Sequence, residues 1–581
     1  MKKQLIAILI IILMLAGCSL TKTDTSDSGT DSSASSNEIT TTIDQTINTE
    51  YTDWEDENPI YINLSDDGIT ADSMTGISID GLIITINRAG TYVFTGTLSD
   101  GQIIVEATSD EDVRIVLNNV NIYSSDSAPI YIKQAQDATI TLAEGSINYL
   151  SDSTVYTLDS DEEPTATIFS KDDLKINGTG TLNITANYNN AIQSKDDLFI
   201  LSGTINITAV DDGIVGKDSV RIAAGIITVN AQKDAIKSTN ASDTTKGYIL
   251  INGGEFNLTS GGDGLAAETE VVINEGTFNI ITNGNGLSDT TSYKGIKAVT
   301  GITINNGNFN ITSADDSIHS NGTIIINNGT FSITSDDDGI HADTAITINN
   351  GIIDITKSYE GIESAGITIN GGTINVTASD DGINVAGGVD QSSQNGRQGQ
   401  NSFTSTATML LTVNGGYVTV IANGDGIDVN GSIVITGGEI YVNGPTANDN
   451  GALDYDGTLD ISGGILLAIG STGMAQTPSS SSTQYSLAVT LSANQTAGTK
   501  ITLQDEEGNT IFEYTALKPF ASIILSLPDL STDTPYTILL NDTEFTTVSL
   551  SGVVTYVTSS GTSDSTQGFG NQGSAPGQTR N

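Results

Sequence analysis

Between about Ile60 and Gly470 the chain alternates apolar and polar residues in short runs. One stretch is representative: Gly339-Ile340-His341-Ala342, then Ala345-Ile346-Thr347-Ile348-Asn349, then Ile353-Asp354-Ile355-Thr356, with Asp, Asn and Gly between the runs. Alternation with a period of two predicts strands, and the absence of any 3.6-residue periodicity argues against helical or leucine-rich repeats.

The pattern recurs. Asp315-Asp316-Ser317-Ile318-His319, Asp337-Asp338-Gly339-Ile340-His341, Tyr359-Glu360-Gly361-Ile362-Glu363 and Asp380-Asp381-Gly382-Ile383-Asn384 are versions of one phrase, their isoleucines spaced by 22, 22 and 21 residues. Three short strands in each period of about 22 residues predict an all-β, right-handed, three-sided parallel β-helix. In that register Ile353 and Ile355 fall beneath Phe331 and Ile333 and above Ile374 and Val376. Burying each such side chain contributes roughly 1.5 to 3 kcal/mol, and about five per coil offset the entropy of ordering it.

A second column holds Asn252, Asn274, Asn305, Asn327, Asn349, Asn370 and Asn414, each followed two residues later by glycine. Asn and Gly tolerate positive φ, and stacked amides bond from coil to coil, so this column is expected to turn the chain.

Composition narrows the partners. The formal charge is −49, from 70 acidic against 21 basic residues. No basic stripe is visible in the sequence, and nucleic acid is excluded as a partner because phosphate neutralisation needs clustered cations. The single cysteine follows a basic start and an apolar run, and Leu15-Ala16-Gly17-Cys18 resembles a bacterial lipobox, in which cleavage leaves Cys18 lipidated. A lipid-anchored, extracytoplasmic protein at the cell surface is therefore expected, without disulfides. Residues 1–18 read as signal peptide, 19–50 as a Ser/Thr/Asp tether, 51–100 as an N-terminal β cap and 101–475 as the β-helix. Residues 484–557 read as a small C-terminal β segment and 558–581 as a disordered tail. Loops at Thr239–Gly247 and Ser288–Tyr293, and a polar insertion at Asp390–Ala407, interrupt the array.

A family resemblance rests on ordered phrases from about Gly81 to Gly470, among them Gly101-Gln102-Ile103, Arg114-Ile115-Val116-Leu117-Asn118, Ala128-Pro129-Ile130-Tyr131, Phe169-Ser170-Lys171-Asp172-Asp173-Leu174, Ser194-Lys195-Asp196-Asp197-Leu198 and Asp211-Asp212-Gly213-Ile214. They resemble the clostridial cell-surface carbohydrate-binding β-helix family. The resemblance implies a pectate-lyase-like β-helix carrying calcium between coils, which binds polygalacturonate and cellulose without known lyase activity.

The residues offer a chemistry for this. Asp212, Asp234, Asp263, Asp316, Asp338, Glu360, Asp381 and Asp425 stand two residues before the aligned apolar position, with second acids at Asp211, Asp315, Asp337 and Asp380. At a coil spacing of about 4.8 Å, neighbouring charges repel by about 1 kcal/mol in water and by several at an effective dielectric near 20. Calcium, which takes six to eight oxygens, is the expected occupant. After the apolar position, Gln193, Lys237, Lys297, His319, His341, Glu363, Asn384 and Asp428 are expected to face outward, and Lys237, Lys297, His319, His341, Glu363 and Asn384 are the candidate sugar contacts.

The leading expectation is a non-catalytic surface lipoprotein that binds acidic plant polysaccharide (polygalacturonate, with cellulose as a further candidate) through protein-bound calcium. An anionic protein needs bridging cations to hold an anionic polymer. Two alternatives remain: a calcium-dependent polysaccharide lyase, which needs an Arg or Lys base such as Arg221, Lys237 or Lys297, and a calcium-stiffened adhesive stalk.

Overall fold

The computed structural model describes residues 46–47, 53–157, 163–283, 292–386, 409–532 and 534–563. The chain divides into two units, Met1–Thr42 and Ile43–Asn581, and every described residue lies in the second. Cys18, the tether to residue 45 and the Asp390–Ala407 insertion lie outside the described residues.

The second unit is a parallel β-helix with three strands in each regular coil. Ile340–Ala342 lies on the first face, Ala345–Ile348 on the second and Ile352–Ser358 on the third. Each pairs in parallel with its counterparts one coil before and after. Among the described residues the first face gathers sixteen strands, from Ile77–Asp80 to Leu453–Tyr455. Apart from one turn of 3-10 helix at Trp54–Glu57, the described secondary structure is strand.

Like stacks on like. Ile192, Ile214, Ile236, Leu265, Ile296, Ile318, Ile340, Ile362, Ile383, Ile427 and Leu453 are partners in unbroken register, all buried. On the third face Phe256, Phe278, Phe309 and Phe331 stack with centroids 4.6, 4.8 and 4.6 Å apart, and Ile353 and Ile374 continue the column. Their expected partners are the observed ones.

The asparagine column is a continuous amide ladder. Nδ2 of Asn274, Asn305, Asn327, Asn349, Asn370 and Asn414 each donates to Oδ1 of the preceding member at 2.6–2.9 Å. The accompanying glycines have positive φ. At Gly329, with φ of 129°, an added Cβ would also lie 2.9 Å from Cε2 of Phe331.

Both ends are closed by strands. Ile60–Leu64 already pairs in parallel with Gly90–Leu98, so regular pairing begins well before Gly101. At the other end Phe520–Ser526 runs antiparallel to the last third-face strand, Ile465–Gly470, and also to Ser486–Gln495, whose other edge pairs in parallel with Val554–Thr558. Beyond the last coils, Ser479 and Ser482 accept the edge N–H groups of Leu459 and Ile461 through their hydroxyls. They close an edge that would otherwise be unpaired.

Candidate functional site

The acid column forms a chain of backbone caps. Glu360 apart, one carboxylate oxygen of each acid points along the axis and accepts the N–H of the next coil's residue: Asp212 from Asp234 at 3.0 Å, Asp234 from Asp263 at 2.8 Å, Asp263 from Lys294 at 2.7 Å. Asp316 accepts likewise from Asp338 and Asp338 from Glu360, both at 3.1 Å, then Asp381 from Asp425 at 2.6 Å and Asp425 from Gly451 at 2.5 Å. A short acid before the sharp turn reaches its neighbour's amide, so these carboxylates hold coils together before they hold anything else.

The second oxygen faces the row that follows the aligned apolar position, and that row changes sign along the axis. In register it reads Gln193, Val215, Lys237, Ala266, Lys297, His319, His341, then Glu363, Asn384, Asp428 and Asp454. Lys237 Nζ lies 2.6 Å from Asp234 and 3.8 Å from Asp212, and Lys297 Nζ 3.6 Å from Asp263. Burial opposes the Lys237 charge, but Asp234 and Asp212 outweigh it and raise its pKa to about 12. Asp211 is paired separately with Lys233 at 2.6 Å.

The sequence reading overlooked Lys294, which occupies the acid column itself. It is fully buried, its Nζ 2.6 Å from Asp316 Oδ2 and 2.8 Å from Asp315 Oδ1. Burial pushes the Asp316 carboxyl up, but Lys294 and the His319 hydrogen bond hold it well below the usual range. The signal was present as a lysine where every neighbouring period has an acid. Asp337 gathers with Asp315 and Asp316, a carboxylate group that Lys294 already serves.

His319, His341, Glu363 and Asn384 are not displayed outward as expected: each is buried, at no more than 7% exposure. Their side chains are taken up by the acids of their own or adjacent coils. His319 Nδ1 is 2.8 Å from Asp316 Oδ2, His341 Nδ1 is 3.2 Å from Asp338 Oδ2 and 3.3 Å from Glu363 Oε2, and Asn384 Nδ2 donates to Glu360 Oε2 at 2.6 Å.

Beyond Glu363 the described members of this row include no cation, while the acids continue. Burial and the carboxylates of Glu363, Asp338 and Asp381 raise the Glu360 pKa well above its ordinary value. Burial, Asp425 and Asp428 raise Asp381 to about 8, and burial with neighbouring carboxylates raises Asp425 and Asp428 each to about 7. Asp381, Asp425 and Asp428, all half-buried, bring one oxygen each within 4.8 Å of one another, an oxygen set that could hold a hard cation. Asp380 lies beside them, 2.3 Å separating its Oδ1 from the place a Cβ on Gly424 would take.

On the second face, cations that are scattered in the sequence come into line. Arg114, Thr139, Lys175, Phe199 and Arg221 are successive partners. They border a cavity of about 640 Å³. Each cation is matched to an acid: Arg114 to Glu57 at 3.1 Å, Lys175 to Asp137 at 2.6 Å, Arg221 to Asp197 at 3.5 Å. The basic stripe missing from the linear sequence exists in three dimensions, internally neutralised.

Parts of the chain are similar to known proteins. Residues 80–339 match a family model described as carbohydrate-binding domain-containing protein. A carbohydrate-binding domain-containing protein of Acetivibrio thermocellus is 40% identical over 150 residues, 26% of this chain and 52% of that relative, so the chain spans about half the relative's length. A solved structure described as a polysaccharide lyase-like protein from C. thermocellum, a gadolinium derivative, is 31% identical, covering 46% of this chain and 96% of that one with a TM-score of 0.37.

Proposed function

We propose that this protein is a non-catalytic binder of acidic polysaccharide, polygalacturonate above all, and that calcium held by the half-buried carboxylates Asp380, Asp381, Asp425 and Asp428 bridges protein and polymer. The observation that carries the reading is the change of sign at Glu363. Before it, the ladder acids as far as Asp338 have lysine or imidazole partners and need no calcium; after it, carboxylates crowd together with no cation beside them in the row. Calcium accepts six to eight oxygens in flexible geometry, so three or four protein carboxylates leave positions for uronate oxygens. A chain of formal charge −49 repels a polyuronate, and a bridging cation reverses that repulsion. The match to carbohydrate-binding proteins supports the class of ligand. Lipidation at Cys18 would hold the protein at the cell surface.

Calcium titration of the chelator-treated full chain tests this. Wild type should bind calcium and the Asp425→Asn/Asp428→Asn variant should not; equal binding by both would overturn the assignment.

A lyase reading draws on one residue. Lys518, between the strands Thr510–Thr515 and Phe520–Ser526, donates to Asn423 Oδ1 at 3.0 Å, two residues from Asp425, and burial lowers its pKa, the direction a proton-abstracting amine requires. Calcium-dependent release of an unsaturated product absorbing in the near ultraviolet, lost in Lys518→Ala, would establish it in place of simple binding.

A further inference from the structure

We propose that His341, Asp338 and Glu363 form a site for one divalent transition-metal ion, with His319 as the neighbouring nitrogen ligand, separate from the calcium carboxylates. The three residues come from two consecutive coils, and His319 from the coil before. His341 Nδ1 lies 3.2 Å from Asp338 Oδ2 and 3.3 Å from Glu363 Oε2. Asp316, His319 and His341 form an overlapping group in which one ligand atom from each lies within 4.8 Å of the others, and the two imidazole centroids are 5.0 Å apart.

Two features favour a metal over a network of hydrogen bonds alone. The first is a count of protons. Nδ1 of His341 can carry one N–H, yet two carboxylate oxygens, whose side chains also hydrogen-bond to one another, approach it at nearly equal distance in a buried setting. A single ion uses both oxygens and the nitrogen at once. Metal–ligand bonds of about 2.0 to 2.2 Å place adjacent ligand atoms roughly 3.0 to 3.5 Å apart, and the observed separations fall in that range.

The second feature lies on the far side of the ring. His341 Nε2 is 3.5 Å from Asp343 Oδ1, a buried oxygen with no hydrogen-bond partner, while Asp343 Oδ2 accepts from Asn321 Nδ2 at 3.1 Å. A metal-bound imidazole characteristically donates its other N–H to such a carboxylate, which orients the ring. The outer oxygen of Asp338 is likewise restrained, since its Oδ1 accepts the Glu360 N–H. Imidazole nitrogen mixed with carboxylate oxygen selects first-row transition ions over calcium or magnesium. The ion would join consecutive coils at the point where the row changes sign.

Cobalt(II) is the probe, added to the chelator-treated full chain in excess calcium so that the oxygen-only cluster is filled. One equivalent of cobalt with visible d–d absorption is expected. His341→Ala should weaken binding by at least about 100-fold and Asp343→Asn by about 10-fold, as losing a carboxylate that orients a ligating imidazole does. Should His341→Ala not fold, Glu363→Gln, checked by circular dichroism, serves as the ligand variant. Absence of cobalt binding, displacement by calcium, or equal affinity in the ligand variants would overturn the site. Loss of calcium binding in Asp425→Asn/Asp428→Asn with cobalt binding intact would separate this site from the calcium reading.

Discussion

Oδ1 of Asp316 accepts the backbone N–H of Asp338, one coil along, at 3.1 Å, while its Oδ2 lies 2.6 Å from the buried ammonium of Lys294. One carboxylate thus joins two coils and compensates a charge that has no access to water. Replacing Lys294 by Met should cost about 3 to 5 kcal/mol, because it leaves Asp315 and Asp316 buried without their cation. Thermal melting of the two proteins checks this; an unchanged midpoint would mean the pair is not desolvated as described.

The amide ladder makes a smaller prediction. Asn327 both donates to Asn305 and accepts from Asn349. Asn327→Ala should cost about 1 to 3 kcal/mol, two net hydrogen bonds. Gly329→Ala should also destabilise, by about 1 to 3 kcal/mol, since it forces a Cβ into positive φ and against Phe331. Denaturant unfolding measures both.

Much of this is legible in the sequence itself. The coil length, the stacking of Phe331 on Ile353 and the Asn–Gly turn column follow from residue spacing alone, because a solenoid converts period directly into contact. What the spacing could not convey was direction. The residues after each apolar position, such as His319 and His341, were expected to stand in solvent, but they fold along the axis onto the acids three residues earlier and are buried. The ladder was also expected to call for calcium throughout. Instead Lys237, Lys294 and Lys297 neutralise its first part, a pairing that depends on side-chain reach, which no spacing encodes. Arg114, Lys175 and Arg221 are far apart in sequence and meet only because coils stack, so their alignment was invisible in one dimension.

The raised carboxylates predict a pH dependence. In chelator, Asp381 holds its proton to about pH 8 and Asp425 and Asp428 to about pH 7, whereas the unfolded chain releases them near the ordinary 3.8. The folded state therefore binds more protons in that window, and its stability should fall as pH rises from about 4 to about 8, then level off. Saturating calcium stabilises the ionised form and should flatten or reverse the fall. Melting curves across this range, with calcium and with chelator, would show a calcium-independent profile if no cation occupies the cluster.

The most direct measurement of the central claim is migration of the full chain, in detergent, through a native gel containing polygalacturonate, run with calcium and with chelator. Retardation of wild type with calcium alone, abolished in Asp425→Asn/Asp428→Asn but kept in Lys237→Gln, is the predicted result. Equal mobility in every lane, or retardation that survives chelator, would contradict a calcium-bridged polysaccharide site.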